Sequence, residues 1–289
     1  METTEFAQRL LDALDSGRCI VVAEIGSNFP PSPDVELLEH LARTAVECGA
    51  DAVKFQDLFP IQSVPARPDS WRERTAPWVL SPDYIEHLRE FCHAALDVPF
   101  GTSPFTTIAC HRAADNDFVK VASSEAFYPE RFAPLFWSIP PSSPIRPMFI
   151  SIPTVWRGHH LGERHALHAA APWARPPFRP VILACVASYP ANSHVLRSWY
   201  RELEALNPAP LVGISSHVRY PDVLRMLDFI HLAPAVLELH LRVPGITPDD
   251  APDAGPWSLT PGQFKEVVDA VRSLRPATAP LAREEAADG

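Results

Sequence analysis

Eight apolar, β-branched runs alternate along this chain with amphipathic stretches, and that alternation limits the fold more than any other feature. The runs are CIVVAEIG (19–26), DAVKFQ (51–56), VPFGTSP (98–104), FVKVAS (118–123), PMFISI (147–152), PVILACVAS (180–188), PLVGISSH (210–217) and VLELHLR (236–242). Between them lie helical patterns such as PDVELLEHLARTAVECG, SPDYIEHLREFCHAALD, YPERFAPLFWS and YPDVLRMLDFI, and TPGQFKEVVDAVRSL follows the last run. Strand–helix alternation builds a parallel sheet, and strands that are apolar along most of their length are buried on both faces. Eight such units in 289 residues predict an α/β chain with one (β/α)8 TIM barrel domain over residues 18–275. Ahead of it, residues 1–17 read as an amphipathic helical segment; behind it, residues 276–289 read as a polar tail. The competing fold is a doubly wound open sheet, which the lack of a glycine-rich fingerprint after the first run disfavours. The fifth unit, TVWRGHHLGERHALHAAAPWA, is the poorest helix pattern.

Charge and composition remove several function classes. A net charge of −10 gives no electrostatic support to a nucleic-acid or anionic-membrane partner. No apolar run reaches the ~18 residues of a membrane span, and the acidic N-terminal stretch does not resemble a signal peptide. Cys19, Cys48, Cys92, Cys110 and Cys185 are odd in number and widely spaced, which fits reduced thiols in a cytoplasmic protein.

The ends of the runs carry the chemistry, because the site of such a barrel forms at the C-terminal ends of its strands. Those ends hold Glu24; Lys54 and Gln56; Thr102 and Ser103; Lys120, Ser123 and Glu125; Ser151; Ser188 and Tyr189; Ser215, Ser216 and His217; and His240. Only three residues of the chain are lysine, and two of them, Lys54 and Lys120, stand at strand ends; the third, Lys265, lies in the last helical stretch. Elsewhere arginine carries the positive charge. Lysine is a compact point charge that arginine does not replace, so both positions are candidates for binding a small anion with phosphate and carboxylate groups. A lysine that merely snorkels at a strand end is the competing reading. His217 and His240 fall on adjacent strands, with Glu24 on the strand that closes the ring beside them. Two imidazoles and a carboxylate suit a divalent metal with open positions, such as Mn²⁺ or Mg²⁺. The competing reading of each histidine alone is a hydrogen-bonded core imidazole. The tract with His159, His160, His165 and His168 places no set on one helical face and reads as solvated surface. Trp71, Trp78 and Trp156 follow the second and fifth strands and are candidates for lining a mouth.

Taken together these motifs resemble the sialic acid synthase (N-acetylneuraminate synthase) family. VVAEIGSN, GADAVKFQ, FGTSPF, VKVASSE, CVASYP, GISSHV, LELHL and WSLTP follow one another in that family's order, over about residues 18 to 275. The resemblance implies condensation of phosphoenolpyruvate (PEP) with an open-chain sugar aldehyde to a 2-keto-3-deoxy acid, with release of phosphate. It implies a divalent metal held by His217 and His240, Mn²⁺ first and Mg²⁺ or Co²⁺ as alternatives, and a homodimer. Lys54, Lys120, Ser123 and Ser151 would hold PEP, with Ser103 and Ser215 beside them. Glu24 would lie near the reacting carbons, and Gln56, Glu125, Tyr189 and Asp253 would face the sugar. Departures from the family pattern gather on the sugar side: Phe29 for a histidine, Ser124 for a glycine, SIPT on the fifth strand. Ser216 stands for an aspartate and Ala187 for an asparagine. The family's C-terminal antifreeze-like cap is expected to be missing. The acceptor expected is therefore a sugar-like aldehyde other than N-acetylmannosamine. The competing functions are a barrel that keeps the metal and anion site for a pyruvate-type lyase reaction, and a non-catalytic binding subunit.

Overall fold

In a closed barrel of parallel strands, alternate residues point inward, so the interior is written in the sequence with a period of two. The computed structural model describes residues 4–65, 67–156, 159–160, 171–206, 211–228, 230 and 233–275. Its strands are β1 (Ile20–Gly26), β2 (Ala52–Asp57), β3 (Phe100–Pro104), β4 (Phe118–Val121), β5 (Arg146–Pro153), β6 (Phe178–Cys185), β7 (Val212–Ser216) and β8 (Val236–His240). They pair in parallel in chain order, and β8 closes on β1, which gives the (β/α)8 barrel and excludes the open sheet. All eight expected runs are strands; β6 stops at Cys185 rather than running on to Ser188.

The helices are α1 (Glu5–Asp15), α2 (Val35–Glu47), α3 (Asp69–Thr75), α4 (Pro82–Phe91), α5 (Thr107–Arg112), α6 (Ala133–Ser138), α7 (Ser193–Glu204), α8 (Asp222–Asp228) and α9 (Pro261–Arg272). Their starts are set by side chains. Asp34 accepts a hydrogen bond from the Leu37 backbone N–H at 2.8 Å, and Thr260 and Gln263 form a reciprocal capping box ahead of Pro261. Helical spacing then puts Leu38, Leu41, Ala42 and Ala45 of α2, and Phe264, Val267, Val268 and Val271 of α9, against the outside of the strands. The fifth unit falls largely outside the described residues. What is described there is a two-residue antiparallel ladder, Val155–Trp156 with His159–His160, and a short 3₁₀ turn at Ala171–Trp173. Of the histidine tract, His165 and His168 lie outside the described residues, as does residues 276–289.

The barrel interior is apolar in its lower half. Ile20 and Val22 of β1, Ala52 of β2, Phe118 of β4, Phe149 of β5, Val181 and Leu183 of β6 and Val236 of β8 form one buried cluster. Phe118 and Phe149 lie with ring centroids 5.0 Å apart. Two inward positions are glycine because the neighbours need the space. A Cβ on Gly101 would meet the Phe118 ring at 2.5 Å, and one on Gly213 would meet Leu183 Cδ2 at 2.6 Å. From below, α1 presses Leu10, Ala13 and Leu14 into the same cluster and plugs the barrel. Thr4, its N-cap, donates to Asp117 at 2.5 Å.

Candidate active site

One step further along each strand, the inward residues turn polar. Cross-strand register places Glu24 opposite both Lys54 and His240, Gln56 opposite Ser103, and Glu238 opposite Ser215. These side chains line a cavity of about 460 Å³ at the C-terminal end of the barrel, within the size range of small-molecule sites. Lys54, Lys120, Ser103, Ser123, Ser151, Tyr189, Ser215, Asp253, His217, His240, Glu24 and Gln56 all line it. The structure thus brings together all the residues expected to hold the metal, PEP and the sugar except Glu125. Glu125 is buried beside a separate cleft of about 60 Å³. Its carboxylate accepts from Arg131 at 2.7 Å, so an ion pair on the far side of the loop holds it away from the cavity. Two other strand-end hydroxyls face outward, as the period of two requires. Thr102 accepts from Asn116 Nδ2 at 2.9 Å, and the Ser216 hydroxyl accepts from the Val218 backbone N–H at 3.3 Å.

The floor is a set of buried ion pairs. Lys54 Nζ contacts Glu24 Oε2 and donates to Ser103 Oγ at 2.7 Å. Lys120 Nζ lies 3.6 Å from Glu238 Oε1, which also accepts from Ser215 Oγ at 2.9 Å. Burial lowers the Lys54 ammonium below the usual lysine range, against the pull of Glu238, and the like charge of Lys120 adds to the lowering. Burial works against the charge on Glu238 as well, but Lys120 and Lys54 outweigh it and hold that carboxyl at about 2. Glu238 was missed in the sequence, although its signal was there. It stands two residues before His240 and so shares its face of the strand. Cys185 also reaches the cavity, and burial pushes its thiol up to about 11, which makes it an inert wall.

His217 and His240 lie side by side with ring centroids 5.3 Å apart. Burial, with His240 beside it, lowers His217 to about 3, and burial lowers His240 as well, so both rings are neutral at neutral pH. Neutral imidazole is the form that ligates metal. His217 Nδ1 lies 3.2 Å from the Val186 carbonyl oxygen, the kind of partner that fixes a ligating ring and leaves Nε2 free. Four buried polar atoms in the cavity lining have no hydrogen-bond partner among the described residues: Glu24 Oε1, Ser151 Oγ, Glu238 Oε2 and His240 Nδ1. Buried polar groups are nearly always paired, so their convergence on one cavity fits a site built for polar ligands. Among the described residues no three or more His, Cys, Asp or Glu come together as a metal cluster. The carboxylate expected beside the two imidazoles, Glu24, instead meets Lys54, so the histidines stand as a pair and do not form a closed structural metal site.

The wall above the floor is made by loops. Asp253, between β8 and α9, accepts through Oδ2 from the Ser27 backbone N–H at 2.9 Å, the Ser27 hydroxyl at 2.8 Å and Gln56 Nε2 at 3.0 Å. Gly26, at φ +57°, leaves room for that approach, since a Cβ there would collide with Asp253 Oδ2. Tyr189 packs on the His217 ring at 4.1 Å and meets Trp257 edge-on at 5.2 Å. Trp71 lines the mouth as expected, together with Arg67, which no periodicity in the sequence marked. Trp78 does not: it is buried and donates to the Phe29 carbonyl oxygen at 2.7 Å. The side chain of Trp156 lies outside the described residues.

No protein-family model matches the chain, and no curated protein matches it in sequence. Among solved structures, N-acetylneuraminic acid (sialic acid) synthetase from Leptospira borgpetersenii serovar Hardjo-bovis, in complex with citrate, is similar at a TM-score of 0.71 and 18% identity, covering 91% of this chain and 88% of that one. The spore coat polysaccharide biosynthesis protein SpsE from Bacillus subtilis follows at 0.67 and 22%, covering 88% and 67%. A truncated 3-deoxy-D-arabino-heptulosonate 7-phosphate synthase from Thermotoga maritima is similar at 0.57 and 13%, covering 88% and 85%. At these identities the likeness is one of fold, and the fold this chain shares with them is the closed barrel that carries the cavity at its C-terminal end.

Proposed function

We propose that the chain condenses PEP with a sugar-like aldehyde to a 2-keto-3-deoxy acid and releases phosphate. The observation that carries this reading is the meeting, in one cavity, of two buried lysine–glutamate pairs and two neutral imidazoles, at the positions that the sequence motifs mark. Lys54 and Lys120 would bind the carboxylate and phosphate of PEP and fix which face of its double bond is presented, which is catalysis by position and charge. Glu238 would keep Lys120 protonated and in place. The hydroxyls of Ser103, Ser123, Ser151 and Ser215 would complete the cradle. Gln56, Tyr189 and Asp253 would hold the aldehyde.

C3 of PEP then bonds to the aldehyde carbon, whose oxygen takes up a proton. Water adds to C2, and phosphate leaves with the bridging oxygen as the C2 keto group forms. Glu24, with Oε1 free, would orient that water and accept its proton. His217 and His240 would hold a divalent metal, Mn²⁺ first, which when bound would supply Lewis-acid polarisation of the aldehyde oxygen. The acceptor would be an aldehyde other than N-acetylmannosamine.

The test is phosphate release from PEP with Mn²⁺ across a panel of aldoses, with the product mass measured in parallel. The expected product has the mass of PEP plus aldehyde plus water less phosphate, and oxygen-18 placed in the PEP bridge should appear in the keto group only if P–O cleavage occurs, and in phosphate if the C–O bond breaks as proposed. Release that is independent of aldehyde, or absent throughout the panel, overturns the reading.

A further inference from the structure

The charges of the cavity are not evenly used. Lys54 meets Glu24, and Lys120 faces Glu238, so both floor cations already have carboxylates. Asp253 is held by neutral donors on Ser27 and Gln56. Arg67, in the loop between β2 and α3, lines the same cavity. Asp57 and Asp69, the carboxylates near it in sequence, pair with Arg112 and Arg72, and among the described residues no carboxylate pairs with Arg67. It is held another way: its guanidinium carbon lies 5.1 Å from the centre of the Trp71 ring, which also lines the cavity. A guanidinium stacked on an indole is positioned by its face and keeps the fork of N–H donors on its edge free, the arrangement that suits a carboxylate or phosphate. The opposite side of the mouth carries Tyr189, half of whose surface is exposed at 50%, and Trp257 packed edge-on against it. The anion-seeking charge without a partner is thus at the rim, above a floor that the condensation assigns to PEP.

We infer that the acceptor aldehyde carries a second, anionic group, phosphate or carboxylate, at the end remote from its carbonyl, and that Arg67, laid on Trp71, recognises it. This deepens the proposed condensation and rests on it for the word acceptor, but the anion subsite can be measured alone. Charge-assisted hydrogen bonds of this kind give discrimination of about tenfold or more over a neutral partner.

The first experiment compares kcat/KM for phosphate release with matched aldoses: arabinose against arabinose 5-phosphate, and mannose against mannose 6-phosphate and mannuronate. The charged member of each pair should be favoured by about tenfold or more, and the phosphate and uronate arms show which anion the rim prefers. Arg67→Gln should bring the ratio of charged to neutral close to one, and Arg67→Lys should restore part of it. Equal use of charged and neutral aldoses, or a preference that survives Arg67→Gln, overturns the inference. So does a rise in the KM for PEP as the main effect of Arg67→Gln, since Arg67 would then belong to the PEP site. The second experiment is calorimetry with non-reacting arabinitol 5-phosphate against arabinitol. Tighter binding of the phosphate that Arg67→Gln abolishes supports the subsite even if no aldose releases phosphate, in which case the condensation falls and the anion site stands. Phosphate release without any anion preference has the opposite meaning.

Discussion

The lower and upper halves of the barrel interior come from the same strands, separated by a single inward step, and they obey different rules. Below, Val22, Phe118, Phe149 and Leu183 fill the space with apolar volume, and two glycines are trimmed to admit them. Above, Glu24, Lys54, Lys120, Glu238 and His240 are as deeply buried, yet four polar atoms in that layer have no partner among the described residues. Burial alone therefore does not identify a core. The lower layer is complete in itself, and the upper layer leaves polar atoms open to the cavity.

The largest expected effect separates the two layers by activity. His217→Ala and His240→Ala should each bring turnover to background and weaken Mn²⁺ binding, while thermal melting of the metal-free protein stays close to that of the parent. Elemental analysis after dialysis is the check, and full metal retention in both variants removes the metal assignment. Next comes a change that crosses from function into stability. Lys54→Met strands the Glu24 carboxylate without its cation and should cost about 3–5 kcal/mol. Adding Glu24→Gln should recover most of that stability and none of the activity, as read by denaturant titration and phosphate release.

In the lower layer, Phe118→Ala should cost about 3–5 kcal/mol through the cavity it leaves, with kcat preserved well below the melting temperature. Gly101→Ala, which drives a methyl into the Phe118 ring, should cost about 1–3 kcal/mol. Combining it with Phe118→Leu should cost less than the sum of the two; additive losses would mean that the two residues do not meet. The smallest effect closes the comparison. Lys265, the one lysine outside the barrel interior, makes an exposed i,i+4 pair with Asp269 at 3.4 Å and no other ion pair among the described residues. Lys265→Ala should shift stability by no more than about 0.5 kcal/mol, which sets the solvated lysine against the two buried ones.

Much of this was readable from sequence because a barrel converts spacing into direction. Lys54 and Gln56 lie two apart on β2, and His217 lies two beyond Ser215, one residue past the end of β7, so one assignment places both members of each pair. The same rule explains two hydroxyls that the sequence grouped with the site: Thr102 and Ser216 are one residue out of phase and point away. It also shows that Glu238 was legible and passed over, hidden between two leucines in VLELHL. Arg67 and Glu125 were not legible in this way. Both sit in loops, where no period fixes direction, and a single partner, Trp71 for one and Arg131 for the other, decides where the charge goes.

The plug at the base of the barrel has a consequence for how firmly the ring is tied. Leu10, Ala13 and Leu14 of α1 belong to one cluster with Ile20, Val22 and Ala52 close by in sequence and with Phe149, Val181, Leu183 and Val236 far along it. Contacts between segments so far apart carry a loop-closure cost that the local ones do not. One short helix thus ties β1 and β2 to β5, β6 and β8 from below, and whatever loosens it loosens several strands of the ring at once.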